Sequence, residues 1–378
     1  MIADYRGLTG QPPLIQTPAL FYGEISKLQS GTAYLFPQDV RGTNFVGNVP
    51  MTMNFSAGVQ QNIGFSTVLD VAYVGSLARH LAWERNLNAI PFGANFASPN
   101  QDPTTGRVLP SPLLRPIPGF GDINFQETAG SSNYHSLQIS ANRRMLSGLN
   151  IGASYTLSRA KDFGNGDATR VSTLIPLRQW NYGLTEQDQT NALRINWLWT
   201  VPNSPWELAA LKAVVNDWQI SGITSFLSGL PTSSAFTTTT PVDFTGSPTD
   251  PARPVLTGDP ILSGGDRTFS HAFRTEAFSL PTVGSYGGFG NAGRNPLRLP
   301  GVNNWDVAIF KRIRIYRERV SMQFRWEMYN IFNHTQFSAF DSAARFNPTN
   351  GQQANPSFGQ YTAARQPRRM QFGLRLSF

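Results

Sequence analysis

The last nine residues of the chain, Met370-Gln371-Phe372-Gly373-Leu374-Arg375-Leu376-Ser377-Phe378, carry apolar side chains at every even position and polar residues or glycine at every odd position. Because successive side chains of a β-strand point to opposite faces, this period of two predicts a strand with one apolar and one polar face. The chain therefore ends on an amphipathic strand.

The same period recurs upstream, so that the sequence predicts nine strands in all. Most span about nine to eleven residues, whereas strands of soluble proteins average five to six; the longer length crosses a bilayer at a tilt of about 45°. The pattern is weaker in 65–73, where both faces are apolar, and in 218–226, where Gly222 interrupts it. A helix remains an alternative for 320–331. The predicted strands are 51–59, 65–73, 135–143, 149–157, 193–201, 218–226, 305–309, 320–328 and 370–378.

The connections between these strands alternate in length. Short turns lie around 61–64, 146–148 and 312–319, and a medium link at 202–216 includes a predicted helical turn, Glu207–Leu211. The long connections, rich in Pro, Gly, Asn and Thr, are 76–132, 159–190, 228–302 and 333–367. Structureless loops this long are rare in compact domains, whereas transmembrane barrels pair short periplasmic turns with long extracellular loops.

The predicted fold is therefore all-β: an antiparallel transmembrane β-barrel segment of about nine long strands, with short periplasmic turns and long extracellular loops. If the last strand ends at the periplasm, every odd-numbered strand runs inward. Residues 1–50 are then an external segment or loop before the first strand, and residues 51–378 are the barrel portion.

The composition excludes several other classes. The 378 residues include 31 Lys+Arg and 23 Asp+Glu, a net charge of +8, and only 14% are charged where about 25% is usual. No cysteine is present, so disulfides, thiolate metal sites and thiol nucleophiles are ruled out. The 12% aromatic content argues against disorder. We recognise neither an apolar run long enough for a membrane-spanning helix nor a secretory signal in the opening MIADYRGLTG.

Several segments resemble the C-terminal part of Oar-like TonB-dependent outer-membrane receptors, a family whose members often carry a carboxypeptidase-regulatory-like domain. The resemblance covers roughly residues 45–378 in the same order. The segments that carry it are TVLDVAYVGS (67–76), NYHSLQ (133–138), ASYTLSRAK (153–161), DWQISGI (217–223), FGNAGRN (289–295), NNWD (303–306) and EMYNIFNH (327–334).

This resemblance implies a function and a set of partners. Receptors of the family carry a signal peptide, a plug domain and a barrel of about 22 strands, so the chain is expected to be the last nine or so strands of a larger receptor. Its external loops are expected to bind a ligand, which moves through the lumen when TonB pulls on the plug. The implied partners are outer-membrane lipid, the remaining barrel and plug, the TonB system and the barrel-assembly machinery. The implied location is the outer membrane of a Gram-negative-type bacterium.

Two groups of candidate functional residues follow from the barrel interpretation. The terminal strand is similar to the signal that the assembly machinery recognises, and aromatic rings on the apolar faces are expected to form an interfacial girdle. We expect the polar faces, with Arg143, Arg194, Asp306, Arg325, Glu327 and Arg375, to point into the lumen. The assembly signal comprises Met370, Phe372, Leu374, Leu376 and Phe378. The girdle comprises Tyr73, Tyr155, Trp197, Trp199, Trp218, Trp305 and Trp326.

Other motifs argue against enzymatic or nucleic-acid-binding function. Gly288–Gly293 matches G-x-G-x-x-G, but the prolines that follow at 296 and 300 disfavour the helix that a dinucleotide site needs, so we predict a turned loop. The four histidines, His80, His135, His271 and His334, lack metal-ligand spacing. The basic cluster Lys311, Arg312, Arg314, Arg317 and Arg319 is expected at the periplasmic rim. We predict no enzyme, cofactor, metal or nucleic acid. The alternative is a soluble or surface-exposed β-sandwich binding or adhesion protein.

Overall fold

The computed structural model describes residues 38–45, 47–146, 148–164, 166, 169–205, 208–284, 286–316 and 320–378. Nine long strands follow one another in the chain. They are β1 (Met51–Gly64), β2 (Thr67–Asn86), β3 (Phe120–Leu146), β4 (Leu149–Asp162), β5 (Asn191–Thr200), β6 (Trp218–Leu227), β7 (Val302–Tyr316), β8 (Val320–Tyr329) and β9 (Arg369–Ser377).

The nine strands form one continuous sheet in which each strand pairs antiparallel with the next. This confirms the nine predicted strands, including the strand rather than the helix at 320–328. A β-sandwich would need two such sheets facing each other. Within the described residues β1 and β9 do not pair with each other, so the sheet stays open at both edges.

Alternate positions give the sheet two chemically distinct faces. One row of directly opposed residues is wholly apolar: Val71, Ile139, Tyr155, Leu193 and Phe226. The row beside it is polar: Asp70, Ser140, Ser154, Arg194, Ser225 and Asn304. We call these the apolar face and the polar face. The register extends the amphipathic pattern of each strand across the whole sheet.

One residue that we expected on the polar face lies on the other. Arg143 is opposite Thr67 and Ile151, and it shares its parity along β3 with Ile139 and Ala141, which places it on the apolar face. It stands near the turn at the end of β3, where the stem of a long cationic side chain can stay on apolar surface while its charged end reaches water.

The strands β2 and β3 are longer than predicted. They contain 20 and 27 residues, because residues at both ends of the expected loop 76–132 still pair with each other as strands. Bulges near Leu81 and a positive φ of 56° at His80 break the period of two there, which hides these residues from a pattern search. The irregular connection is therefore only 87–119.

The remaining loops keep the predicted alternation. At one end of the sheet, which we call the short-turn end, lie the connections 65–66, 147–148, 201–217 and 317–319; the opposite, long-loop end carries 87–119, 163–190, 228–301 and 330–368. The tightest turn holds Phe65 and Ser66 at φ values of 50° and 56°, as a two-residue type I′ hairpin requires.

Short elements occur mostly within the long loops. Four pairs of short strands lie there, along with short helices and 3-10 turns. The strand pairs are Pro231–Thr232 with Leu297–Arg298, Ala235–Thr238 with Ala343–Phe346, Val255–Leu256 with Phe278–Ser279, and Phe337–Phe340 with Tyr361–Ala364. Arg170–Val171 and Gly183–Leu184 join the edges of β2 and β4. The helical segments are Ala94–Phe96, Ser98–Asn100, Ser111–Leu114, Leu177–Asn181, Gly264–Asp266, Thr275–Ala277 and Tyr286–Phe289.

The short-turn end carries one helix, α1 (Ala209–Val215). The predicted helical turn was Glu207–Leu211, but the helix begins and ends later; Glu207 lies outside the described residues. Side chains from β6 and β7 bind carbonyl groups at its C-terminus, which explains why it continues to Val215. No helix among the described residues has the length and apolarity to span a membrane.

The predicted external segment, residues 1–50, lies mostly outside the described residues. Its described part begins with the strand Gln38–Thr43, which pairs parallel with the outer portion of β3 around Ile123 and Gln126. Arg41 also contacts Glu84 of β2 at 3.3 Å. These contacts hold the segment at the long-loop end.

Gly222, which interrupts the sequence pattern of β6, makes room for an aromatic ring. It is directly opposite Trp197 on one side and Val307 on the other, on the apolar face. A Cβ atom at Gly222 would stand 2.5 Å from the Trp197 ring and 2.9 Å from the carbonyl oxygen of Asp306. The indole therefore lies across the glycine and covers its backbone.

We predict that Gly222→Ala displaces the Trp197 indole and lowers the free energy of unfolding by about 1–3 kcal/mol, the usual cost of inserting an atom into a filled space. The measurement is the urea midpoint of the purified protein in detergent. Gly293→Ala is the matched control, because a Cβ there meets no atom within 4 Å. Equal midpoints for the two variants would contradict the role given to Gly222.

Candidate functional site

The polar face carries a depression at its β5–β8 side. The depression has a volume of about 340 Å³ and is lined in part by Asn150, Asn196, Ser221, Asp306 and Glu327. Its polar groups are amides, hydroxyls and two carboxylates, and apolar side chains such as Leu198 and Ile223 line the rest of it. Such a surface offers hydrogen bonds and negative charge beside apolar area.

Glu327 organises the polar side chains near the last strand. Its carboxylate accepts hydrogen bonds from Gln371 of β9 and from the hydroxyl of Tyr329, the latter at 3.2 Å, and it forms an ion pair with Arg325. The Glu327 side chain is only 10% exposed. These contacts join β8 to the edge strand through side chains as well as backbone.

The four long loops pack into one layer, which we call the cap: the described residues of 87–119, 163–190, 228–301 and 330–368. Phe289 is 1% exposed and lies against Phe92 and Trp180, so three different loops meet at one aromatic cluster. A second cluster joins the last two loops. Its buried phenylalanines are Phe273, Phe278, Phe340, Phe346 and Phe358.

A partly buried arginine fixes the first of these clusters. The guanidinium of Arg253 lies 3.8 Å from the centre of the Trp180 ring, and its Nη1 donates a hydrogen bond of 2.8 Å to the Trp180 carbonyl oxygen. Burial lowers the pKa of Arg253 to about 10, so the side chain remains a cation at neutral pH. A cation over an indole face is a favourable contact, more so away from water.

Asp188 joins the cap to the strands beneath it. Its side chain is fully buried and forms an ion pair of 2.6 Å with Arg298, which comes from a different loop. Asp188 Oδ1 also accepts a hydrogen bond of 2.6 Å from the backbone N–H of Ala160 in β4. The sequence offers no signal for this pair, because 110 positions separate its members.

The predicted terminal signal residues lie together on the apolar face of β9. Met370, Phe372, Leu374 and Leu376 face Met328, Trp326, Phe324 and Met322 of β8 across the ladder. Phe372 stacks on Trp326 with ring centres 5.5 Å apart. All five predicted signal residues are exposed, and Phe378, beyond the end of β9, is 98% exposed.

The seven predicted girdle aromatics do not form a single group. Trp199 and Trp218 lie at the short-turn ends of β5 and β6, whereas Trp305 lies near the long-loop end of β7. Tyr73, Tyr155, Trp197 and Trp326 lie farther inside their strands.

The polar tips of four girdle rings have hydrogen-bond partners. The partners are His135 for Tyr73, Asn191 for Tyr155, Val214 for Trp218 and Asn303 for Trp305. The Trp326 indole N–H has none.

The glycine-rich motif belongs to the cap and has the loop structure that we predicted. Phe289 within it is buried, and its carbonyl oxygen accepts a 2.9 Å hydrogen bond from the Arg253 N–H. Gly290 has a φ of 74°, and a Cβ there would stand 2.0 Å from the Arg253 carbonyl oxygen. No helix begins between 290 and 301. Among the described residues no three His, Asp or Glu side chains cluster as a metal would require.

A long antiparallel sheet with one apolar face, one polar face, short turns at one end and long loops at the other defines an outer-membrane β-barrel protein. The sequence matches the family described as "Outer membrane beta barrel domain" over residues 6–371. The chain belongs to this family, and its location is the outer membrane. The short-turn end is therefore periplasmic and the cap extracellular.

Solved structures similar to this chain are transporters and receptors much longer than it. The outer membrane transporter YddB from Escherichia coli is 11% identical, with a TM-score of 0.43, covering 90% of this chain and 34% of that one. The siderophore receptor PiuA from Acinetobacter baumannii is 10% identical, with a TM-score of 0.40, covering 86% and 28%. The FrpB iron transporter from Neisseria meningitidis is 11% identical, with a TM-score of 0.40, covering 90% and 33%. The chain thus spans about a third of their length. No curated protein sequence matches it.

We predict that Asp188→Asn loosens the cap without disrupting the sheet, because Arg298 loses its countercharge while partly buried. Trypsin should then cleave the purified folded protein within 228–301 about tenfold faster. This corresponds to a decrease of about 1.4 kcal/mol in the free energy of opening the cap. Glu186→Gln is the control, since Glu186 is an exposed carboxylate in the same loop. Unchanged cleavage of Asp188→Asn would show that the ion pair does not hold the cap.

Proposed function

We propose that the chain forms part of the barrel wall of a TonB-dependent receptor of the Oar-like type, in which residues 51–378 are wall and residues 1–50 an external segment. The observation that carries the proposal is the open sheet. In hydrocarbon every backbone N–H and C=O needs a partner, so the free edges of β1 and β9 must pair with further strands. An odd number of antiparallel strands also does not close a single-chain bacterial barrel.

The cap supports a receptor role. It is a built layer with its own aromatic clusters and ion pairs, so it can hold a binding surface in a fixed shape outside the membrane. The polar face would enclose the plug. Its hydroxyl and amide groups suit a contact with the plug that must both form and break. Catalysis and a cofactor have no part in this proposal.

The test is cross-linking to TonB in cells. An antibody against residues 228–301 should detect a polypeptide in the outer-membrane fraction, and formaldehyde should shift this band to a complex that an anti-TonB antibody also detects. The complex should be absent from a strain lacking TonB. The size of the uncross-linked band is informative too, because the chain alone is 41.7 kDa.

A band much larger than 41.7 kDa with a TonB adduct fits one receptor chain with a plug. An outer-membrane protein that gives no TonB adduct under conditions where a known receptor does would contradict TonB dependence while leaving the barrel assignment intact.

The terminal strand is proposed as the assembly signal. Replacing Phe378 with Ala should lower the amount of protein folded in the outer membrane several-fold, because the recognised strand loses its last exposed aromatic side chain. Folded protein is measured by its heat-dependent mobility in gels and by resistance to external protease. Ser377→Ala, on the polar face next to it, is the matched control and should assemble normally.

The aromatic girdle is proposed at two levels rather than as one ring. Trp199 and Trp218 would lie at the periplasmic boundary, and Trp305 at the extracellular one, with Tyr73 and Tyr155 toward the latter. The hydrogen bonds at the tips of four rings support this arrangement, since an aromatic residue with an apolar body and a satisfied polar tip suits the membrane boundary.

A further inference from the structure

The helix α1 presents an apolar side that is exposed in the described part of the chain. Leu208, immediately before the helix, is 67% exposed, and Leu211 and Val214 are 42% and 64% exposed. Residues three apart lie on the same side of a helix. Three large apolar side chains therefore point outward together at the periplasmic end of the wall.

The position of α1 is fixed by two side chains of the apolar face. The Trp218 indole donates a 2.8 Å hydrogen bond to the carbonyl oxygen of Val214. Lys311 Nζ donates to the same oxygen at 3.0 Å and to that of Asn216 at 2.5 Å. Trp218 and Lys311 are directly opposite each other in β6 and β7, and the ammonium lies 4.8 Å from the centre of the indole ring.

These contacts place the C-terminal end of α1 on the lipid side of the barrel wall rather than beneath the lumen. Lys311 has the same parity along β7 as Val307 and Ile309, so it belongs to the apolar face. It is also buried, because the helix end covers it. The apolar side of α1 is thus continuous with the surface that contacts lipid.

The charges around the helix suit a phosphate-bearing surface. Lys212 on α1 is exposed. In the sequence, arginines at 317 and 319 follow β7, against one glutamate at 318. Cations that flank an apolar stripe characterise helices that lie in the membrane interface.

We propose that α1 docks on the phospholipids of the periplasmic leaflet. Leu208, Leu211 and Val214 enter the boundary between headgroups and acyl chains, and Lys212 meets the lipid phosphates. Trp218 and Lys311 hold the helix at this depth by binding its last carbonyl groups. The proposal depends on the outer-membrane location and is independent of ligand transport and of TonB.

The absence of cysteine from the chain allows a direct test. The protein purified from outer membranes is prepared with a single cysteine in place of Leu211, Val214 or Ala213, labelled with an environment-sensitive fluorophore, and reconstituted into vesicles of phosphatidylethanolamine and phosphatidylglycerol. Part of the lipid is brominated on its acyl chains to quench nearby fluorophores. Ala213 is the matched control, because it is exposed on the same helix about 160° around from Leu211.

Quenching at 211 and 214 should be at least about twofold greater than at 213, with emission shifted to the blue. Lys212→Gln, in the Leu211→Cys background, should weaken the increase in quenching that accompanies a higher fraction of phosphatidylglycerol. Heat-dependent gel mobility verifies that each variant is folded.

Equal quenching at all three positions, or none, would overturn the proposal. Protection of 211 and 214 from iodide in the water phase without quenching by brominated lipid would also overturn it, since the occupant of the surface would then be a protein.

Discussion

The need to pair every backbone hydrogen-bonding group inside a membrane governs this molecule. Each strand between β2 and β8 is paired on both sides along the register, and no polar backbone group of their shared ladders is left for the lipid to meet. The edges are the exceptions, and there the side chains add to the ladder: Glu327 reaches Gln371 across the last pair of strands. Apolar side chains do not drive the pairing of the strands. Lipid tails are as apolar as these side chains, so the hydrophobic effect does not favour strand association inside the membrane.

The cap, which lies outside the membrane, is organised like a soluble protein. The cap has buried phenylalanines, a desolvated arginine on an indole and an ion pair closed off from water, all features of a globular core. The chain thus contains two parts with opposite organisation. The sheet has apolar side chains on its outer surface, and the cap has them in its interior. The low fraction of charged residues is common to both, since the nine strands and the four long loops each carry few charged side chains.

The parts of the fold that the sequence predicts are those that depend on neighbouring residues. The period of two locates all nine strands, because it reflects the local environment of each strand's two faces. Where a bulge interrupts the period, as near His80, the outer lengths of β2 and β3 are missed. The sequence places Lys311 with its basic neighbours at the periplasmic rim, and only the strand parity of the structure adds that it lies on the apolar face, where its ammonium donates hydrogen bonds to carbonyl groups at the end of α1.

Contacts between distant parts of the chain could not be predicted. The pairs Asp188–Arg298 and Trp180–Arg253 join loops whose order in space follows from the antiparallel order of the strands below them. No spacing along the sequence encodes such pairs. The candidate binding surface is therefore visible only in the folded molecule, whereas the membrane-facing residues are visible in the sequence.

The length of β2 has a consequence for where this protein meets its surroundings. At about 3.3 Å per residue its 20 residues extend roughly 66 Å, and at a tilt of about 45° they rise about 47 Å, nearly twice the ~25 Å apolar band of such a barrel. The β2–β3 part of the wall therefore continues past the bilayer by about 20 Å. Whatever approaches from outside encounters the cap at the height of the sugar layer of the cell envelope, well before it reaches lipid.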